Sequence, residues 1–302
     1  KRIFPNMLKT AVESGRVGDI QSAMADVDWG NEVYLPGFAP KNKRGMTLKV
    51  LGPVPQIIDN KRALPRIGND GVTKNGHSVV LLLEIGHVRM LLGGDLNEPS
   101  QKYLLEHYTG MSADPRSSAQ EDQLIDTARK VFQVDLAKAC HHGSAHVDPL
   151  FLRATNPLAT VISSGDDEPH SHPRADALGM IGQCSRGHRP LIFSTELARS
   201  GTEHIKHPNK VRRELRATMD KAYGVLNDAN STAAAKEKAE QHIQDGLSKI
   251  ERSVANYGMI NVRTDGHKVI VAQRLERKRS NKVRWDIYKL EADTRGNMHY
   301  AP

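Results

Sequence analysis

Apolar and polar residues follow two different periods along this chain, and the changes of period divide it. Between Ser78 and Asp95, the runs SVVLLLE and VRMLLGGD flank the turn IGH, which predicts a β-hairpin whose second strand ends at Asp95. Residues 98–108, EPSQKYLLEHY, place a proline near a first turn and apolar residues at helical spacing. A second helix is predicted over 118–132, SAQEDQLIDTARKVF. The strand VDLAKAC, the short helix DPLFLRAT, the strand LATVISSG, the helix RADALGMIGQCS and the strand RPLIFST follow in turn. Alternating strands and helices of this kind belong to a layered α/β domain. Upstream, residues 1–75 hold only short apolar pieces such as EVYL and MTLKVLGP among Gly, Pro and Lys, and read as irregular strands and loops.

Past about residue 205 the pattern becomes helical. KVRRELRATMDKAYGVLNDAN and STAAAKEKAEQHIQDGLSKIERSVANYG predict two helices joined near Asn227–Ser231, the second opening on strong helix formers. A solvated hairpin is the plain reading; an arm that binds a protein partner through 205–256, or covers a substrate, is the other. Strands return with MINVRT, the turn DG, HKVIVAQRLE and VRWDIYKL, the last two separated by the basic stretch RKRSNK. The expected organisation is a core over 1–204, a helical hairpin insertion over 205–257, and β-strands over 258–302 that complete the core.

With 38% hydrophobic and 26% charged residues in 302, the composition is that of a soluble globular chain. No apolar run approaches the roughly 18 residues of a membrane span, and the first residues lack the layout of a secretory leader. Cys140 and Cys184 are the only cysteines, which argues against a disulfide scaffold and for a reducing, cytoplasmic setting. A formal charge of +8 favours polyanionic partners, DNA or RNA among them. The chain begins at Lys1 and in mid-pattern, as expected of a fragment or a processed product.

The candidate chemistry lies between residues 75 and 173. GGDLN ends a strand at Asp95, HHGS follows a strand at 141–144, and SSGDDEPHSHP spans 163–173. All three fall where a strand meets a loop, the rim at which layered α/β folds collect ligands. Each has a bland reading: Asp95 as a turn or capping residue, one histidine of the pair as structural because neighbouring strand side chains point to opposite faces, and His170 and His172 as parts of a surface loop. Together, imidazole and carboxylate at successive rims suit a divalent metal such as zinc or manganese.

The order NGHSVVLLLEIGHVRMLLGGD, DLAKACHHGS, ISSGDDEPHSHP resembles the metallo-β-lactamase superfamily, and within it the hydrolase domain of ComEC-type DNA-uptake competence proteins. Asn75 and Ser78, Gly94-Asp95, His141-His142-Gly143-Ser144, and Ser163 through Pro173 carry the resemblance, which covers about 45–195. It implies a four-layer αββα sandwich, with part of the amino-terminal fold missing, and two divalent metal ions at one edge. Asp95 takes the place of the bridging carboxylate, and the late histidine ligand is His141, His142 or His172, with His141 slightly favoured. Residues 1–74 contain no histidine, so the superfamily's main metal motif, which belongs upstream of Asp95, is absent.

The implied activity is metal-dependent hydrolysis, most simply of a phosphodiester. Asp95 would hold the ions, and His142 would steady developing charge or protonate the leaving group. Asn75, Ser78 and Ser144 would meet substrate. Arg277, Lys278 and Arg279, with Arg263, Lys268 and Arg274, would supply sequence-independent contacts to phosphates, a solvated hairpin being their plain alternative. A hydrolase of small esters or lactones and a non-catalytic binding protein of the same fold are the rival readings. No phosphate-cradling glycine loop, Gly-x-Ser-x-Gly elbow or cysteine quartet is present.

Overall fold

The computed structural model describes residues 3–17, 20–165, 170–195, 208–253, 259–275 and 283–302. In chain order these form α1 (Ile3–Glu13), β1 (Met46–Gly52), the small hairpin β2 (Gln56–Ile58) and β3 (Lys61–Ala63), α2 (Asp70–Gly76), β4 (Val80–Ile85) and β5 (Val88–Leu92). Next come α3 (Glu98–Thr109), α4 (Ser118–Phe132), β6 (Leu136–Lys138), α5 (Pro149–Thr155), β7 (Ala159–Ile162), α6 (Ala175–Cys184) and β8 (Leu191–Ser194). Two long helices, α7 (Pro208–Asn227) and α8 (Ala233–Ser253), precede β9 (Ile260–Thr264), β10 (Lys268–Arg274), β11 (Trp285–Ala292) and β12 (Met298–Ala301).

The central sheet has the order β1-β4-β5-β6-β7-β8. Its first three strands pair antiparallel, and β5 to β8 run parallel, each joined to the next through helices. The tips of β5, β6 and β7 therefore lie side by side at one edge, and the loops that follow them meet there. The edge strand β1 comes from a region whose sequence reads as irregular. Met46–Val50 alternates apolar and polar residues, and pairing with β4 places Val50 and Leu51 at 2% and 0% exposure. Isolated apolar residues suffice for a strand when a neighbouring strand fixes their register.

Apolar side chains separate onto the two faces of this sheet. Leu82, Leu91 and Ala137 join Leu104, Leu105, Leu124, Phe132 and Phe151 of α3, α4 and α5 in one core. Phe132 is fully buried, with its ring centroid 5.3 Å from Tyr108 and 5.2 Å from Phe151. Phe132→Ala is expected to destabilise the fold by about 3–5 kcal/mol, the usual cost of an aromatic cavity, measurable as a lowered denaturation midpoint. On the other face, Val88, Leu136, Ala159 and Phe193 meet Val269, Val271, Leu290 and Met298. These belong to a second, wholly antiparallel sheet of order β12-β11-β10-β9, one strand longer than the sequence pattern predicts.

The architecture is thus mixed α/β, with helices and a second sheet on opposite faces of a mixed central sheet. A second helical layer outside the small sheet, which the resemblance implies, is not defined by the described contacts. The helices α7 and α8 pack against one another, and Ala222 and Ala239 within them are 3% and 4% exposed. Among the described residues, no helix is long and apolar enough to cross a membrane.

Candidate functional site at the strand tips

The tip of β5 presents Asp95 by a glycine turn. Gly94 has φ +57°, and a Cβ there would sit 2.8 Å from the Ser78 Cβ, so neither the conformation nor the space admits a side chain. The backbone N–H of Asp95 donates to Ser78 Oγ at 2.9 Å. The Gly94 carbonyl accepts from the His141 backbone N–H at 3.0 Å and from Lys138 Nζ at 3.0 Å. Ser78 and Lys138 therefore fix the carboxylate's backbone from both sides. Lys138, a lone cation in an apolar strand just before a turn, is a site residue that the motif reading missed.

The histidine pair does not continue its strand. β6 ends at Lys138, and Cys140–Gly143 make a tight turn in which His141 has φ +48° and His142 φ +55°. Two successive non-glycine residues in the left-handed region cost of order 1 kcal/mol or more each, and such strain concentrates at functional sites. The turn is held by Ser144 N–H donating to the His141 carbonyl at 2.9 Å and Arg174 N–H to the Gly143 carbonyl at 2.9 Å. Gly143 (φ +77°) packs so closely on Pro173 that a Cβ would approach the proline Cβ to 2.8 Å. The strand rule of opposite faces consequently does not apply to His141 and His142; the turn directs both rings.

His142 is the ring that meets Asp95. Its Nε2 lies 3.2 Å from Asp95 Oδ1, and its Nδ1 lies 2.6 Å from the Ser163 carbonyl at the tip of β7. The carbonyl can only accept, so Nδ1 carries a proton, and in a neutral ring Nε2 then turns a lone pair toward the carboxylate. That pairing needs a positive charge between the two atoms, either a second ring proton or a metal ion. Two donors on one tetrahedral zinc lie about 3.4 Å apart, given bond lengths near 2.1 Å, so the pair suits one edge of a metal shell.

The remaining candidates lie on the other side of the turn. His141 Nε2 is 3.4 Å from Asn75 Nδ2, and its buried Nδ1 has no hydrogen-bond partner among the described residues. Burial holds the His141 imidazole below its ordinary pKa; Asp95 opposes this, while His172, His142 and His146 add repulsion. The His172 ring lies 5.8 Å from that of His141 and is stacked on His170 at 5.8 Å. A groove of about 660 Å³ runs past these residues, bounded by Asn75, Glu98, Ser144, His146 and Arg174. Ser144 is 3% exposed and accepts from the His146 N–H at 3.2 Å, so it forms floor rather than rim. A shallower depression of about 360 Å³ on the opposite side is lined by His142, Ser163, Ser164, Gly165 and His172.

The structure brings Asp95 to His142 rather than to His141 and His172, the set expected for a metal. Among the described residues, no three His, Cys, Asp or Glu side chains come together as a group that could hold a metal ion. The donor types fit a divalent ion, and one donor pair has a suitable spacing; a complete shell is not formed by the described side chains. Arg277, Lys278 and Arg279 lie outside the described residues, as do 166–169 of the SSGDDEPHSHP segment.

Asn75 lines the groove and touches His141, whereas Ser78 supports the backbone of Asp95. Under a hydrolytic reading of the site, Ser78→Ala is expected to lower kcat about 10- to 100-fold with little change in KM, as for loss of a supporting hydrogen bond. Ser78→Thr, which keeps the acceptor, restores it.

No family model matches the chain. Over 143 residues, 47% of the chain, it is 23% identical to ComE operon protein 3 of Bacillus subtilis (strain 168). The matched stretch is 15% of that protein's length, so the chain corresponds to a small part of it.

Proposed function

We propose that the chain belongs to a metal-dependent hydrolase of the metallo-β-lactamase kind that cleaves phosphodiesters with the help of divalent zinc or manganese. The observation that carries this reading is the Asp95–His142 pair, two metal-type donors 3.2 Å apart on a strained turn at adjoining strand tips. The ordered motifs support the fold assignment, and the similarity to ComE operon protein 3, with the formal charge of +8, supports a DNA-related role. Asp95 and His142 would hold the ion, with His141 and His172 at the groove beside it. Bound there, a divalent ion supplies Lewis acidity toward a phosphoryl oxygen and a water acidic enough to ionise near neutral pH.

The chain's own groups do the rest. The Ser163 carbonyl accepts from Nδ1 and fixes the ring of His142, so that Nε2 keeps its lone pair on the side of Asp95, where it would hold the ion. Ser78 and Lys138 keep the Gly94–Asp95 turn in place. The groove beside His141 and Arg174 accommodates the substrate. A second reading, a non-catalytic binding protein of this fold, is favoured by one observation: no three donors converge among the described residues.

Bis-p-nitrophenyl phosphate and p-nitrophenyl carboxylic esters, each offered to the intact protein with manganese or zinc, separate the readings. Metal-dependent release of nitrophenol from the phosphodiester supports the proposal. Turnover of the esters alone identifies a small-ester hydrolase, and turnover of neither identifies a binding protein.

A further inference from the structure

We propose that the solvent face of the small sheet, β9 to β11, is a docking surface for single-stranded nucleic acid. This deepens the hydrolase reading and rests on it for the fate of the bound strand, though not for binding itself. Register decides which side chains share this face. Val269, Val271 and Leu290 are fully buried against the central sheet, so the alternate positions along β10 and β11 point outward. Arg263 stands opposite Ile270, which stands opposite Lys289; Ala272 stands opposite Ile287, and Arg274 opposite Trp285.

Three features of that face suit an unpaired strand. Cations outnumber anions, with Arg263, Lys268, Arg274 and Lys289 set against Glu291, which lies 3.1 Å from Lys268. Ile270 and Ile287 stand open at 41% and 59% exposure, unusual for β-branched side chains in the middle of a sheet. At one end, the Arg274 guanidinium lies over the Trp285 ring, 5.9 Å from its centroid, a stacking unit able to take a base face. Arg263 and Lys289 flank Ile270 across three strands, about 10 Å apart, so phosphates can track the cations while bases lie on the aliphatic and indole surface between. A duplex keeps its base faces stacked internally and cannot use that apolar surface, which sets the preference for single strands.

The test measures fluorescence anisotropy of a labelled 20-nucleotide oligothymidine, alone and as its duplex with oligoadenosine, over a range of salt. The doubly substituted Arg263→Gln, Lys289→Gln protein is expected to bind the single strand about 10-fold more weakly, with a salt slope shallower by about 1.4, given ~0.7 per phosphate contact. Trp285→Leu is expected to weaken binding roughly 5- to 150-fold through loss of stacking. The exposed pair of glutamine substitutions leaves the core untouched, so its circular dichroism melt should match the parent's.

Asp95→Ala should bind the strand normally while losing hydrolysis of bis-p-nitrophenyl phosphate. Failure of all hydrolysis with the binding changes intact would overturn the catalytic reading and leave the docking surface standing. Unchanged affinity and salt slope in the face variants, equal affinity for the duplex, or a parent dimer that these variants dissociate would each overturn the proposal.

Discussion

Asp95→Ala is expected to reduce the proposed phosphodiester cleavage by more than about 100-fold, since losing a group that holds the ion should exceed the roughly 10- to 100-fold cost of losing an outer partner. The effect should fall on chemistry rather than on folding. Asp95 is about two-fifths exposed, and its contacts to the rest of the fold run mostly through its backbone, whose N–H donates to Ser78 Oγ. Removing the carboxylate leaves that bond in place and takes away the acceptor facing His142 Nε2. Asp95→Asn is the informative companion: it preserves shape and removes charge, so a loss as large as that of alanine assigns the role to the negative charge. His142→Ala should fall in the same range, and combining it with Asp95→Ala should add little, because residues that act as one unit are not additive.

Asp135→Ala is expected to destabilise the protein by about 3–5 kcal/mol, the cost of stripping one partner from a buried ion pair. Asp135 lies just before β6, with its side chain 8% exposed and paired with Arg186. Its second oxygen accepts from the Arg89 backbone N–H at 2.8 Å, which ties β5 to β6. Arg186 also donates to the Val134 carbonyl at 2.7 Å and the Asn156 carbonyl at 3.0 Å, and burial holds its pKa below the ordinary value. Truncating the aspartate leaves a guanidinium with carbonyl partners alone. The pair Asp135→Leu with Arg186→Met should cost less than Asp135→Ala by itself, since removing both charges removes the desolvation they require. Urea denaturation of the three proteins measures the difference.

The parts of the fold with strong periodicity are legible in the sequence. The hairpin ending at Asp95, the helices over 98–108 and 118–132, and the alternating run to β8 all appear where the pattern puts them, because each buries one well-defined face. Two parts are less legible. β1 is legible only as a short irregular strand piece, and its length and place in the sheet depend on pairing with β4. The turn at His141 and His142 looks like the continuation of a strand, yet its dihedrals are left-handed, a conformation set by Gly143 against Pro173 and by hydrogen bonds from distant residues.

The site was legible as a list of residues and not as an arrangement. Spacing along the chain located Asp95, His141, His142 and His172, and the structure shows which of them meet. It pairs Asp95 with His142, places His141 against Asn75, and sets His172 between His141 and His170. Lys138 could have been found as the one cation in the strand VDLAKAC, next to the turn. The Ser163 carbonyl could not, because a backbone acceptor leaves no mark on residue type.

The most direct test of the central claim is the metal content of the intact protein, measured by inductively coupled plasma mass spectrometry after exposure to zinc and manganese and removal of loosely held ions. A bound divalent ion is expected in the parent, less of it in Asp95→Ala and His142→Ala, with parallel losses in cleavage of bis-p-nitrophenyl phosphate. A parent protein that retains no ion, or one whose content is unchanged by both substitutions, would contradict the claim.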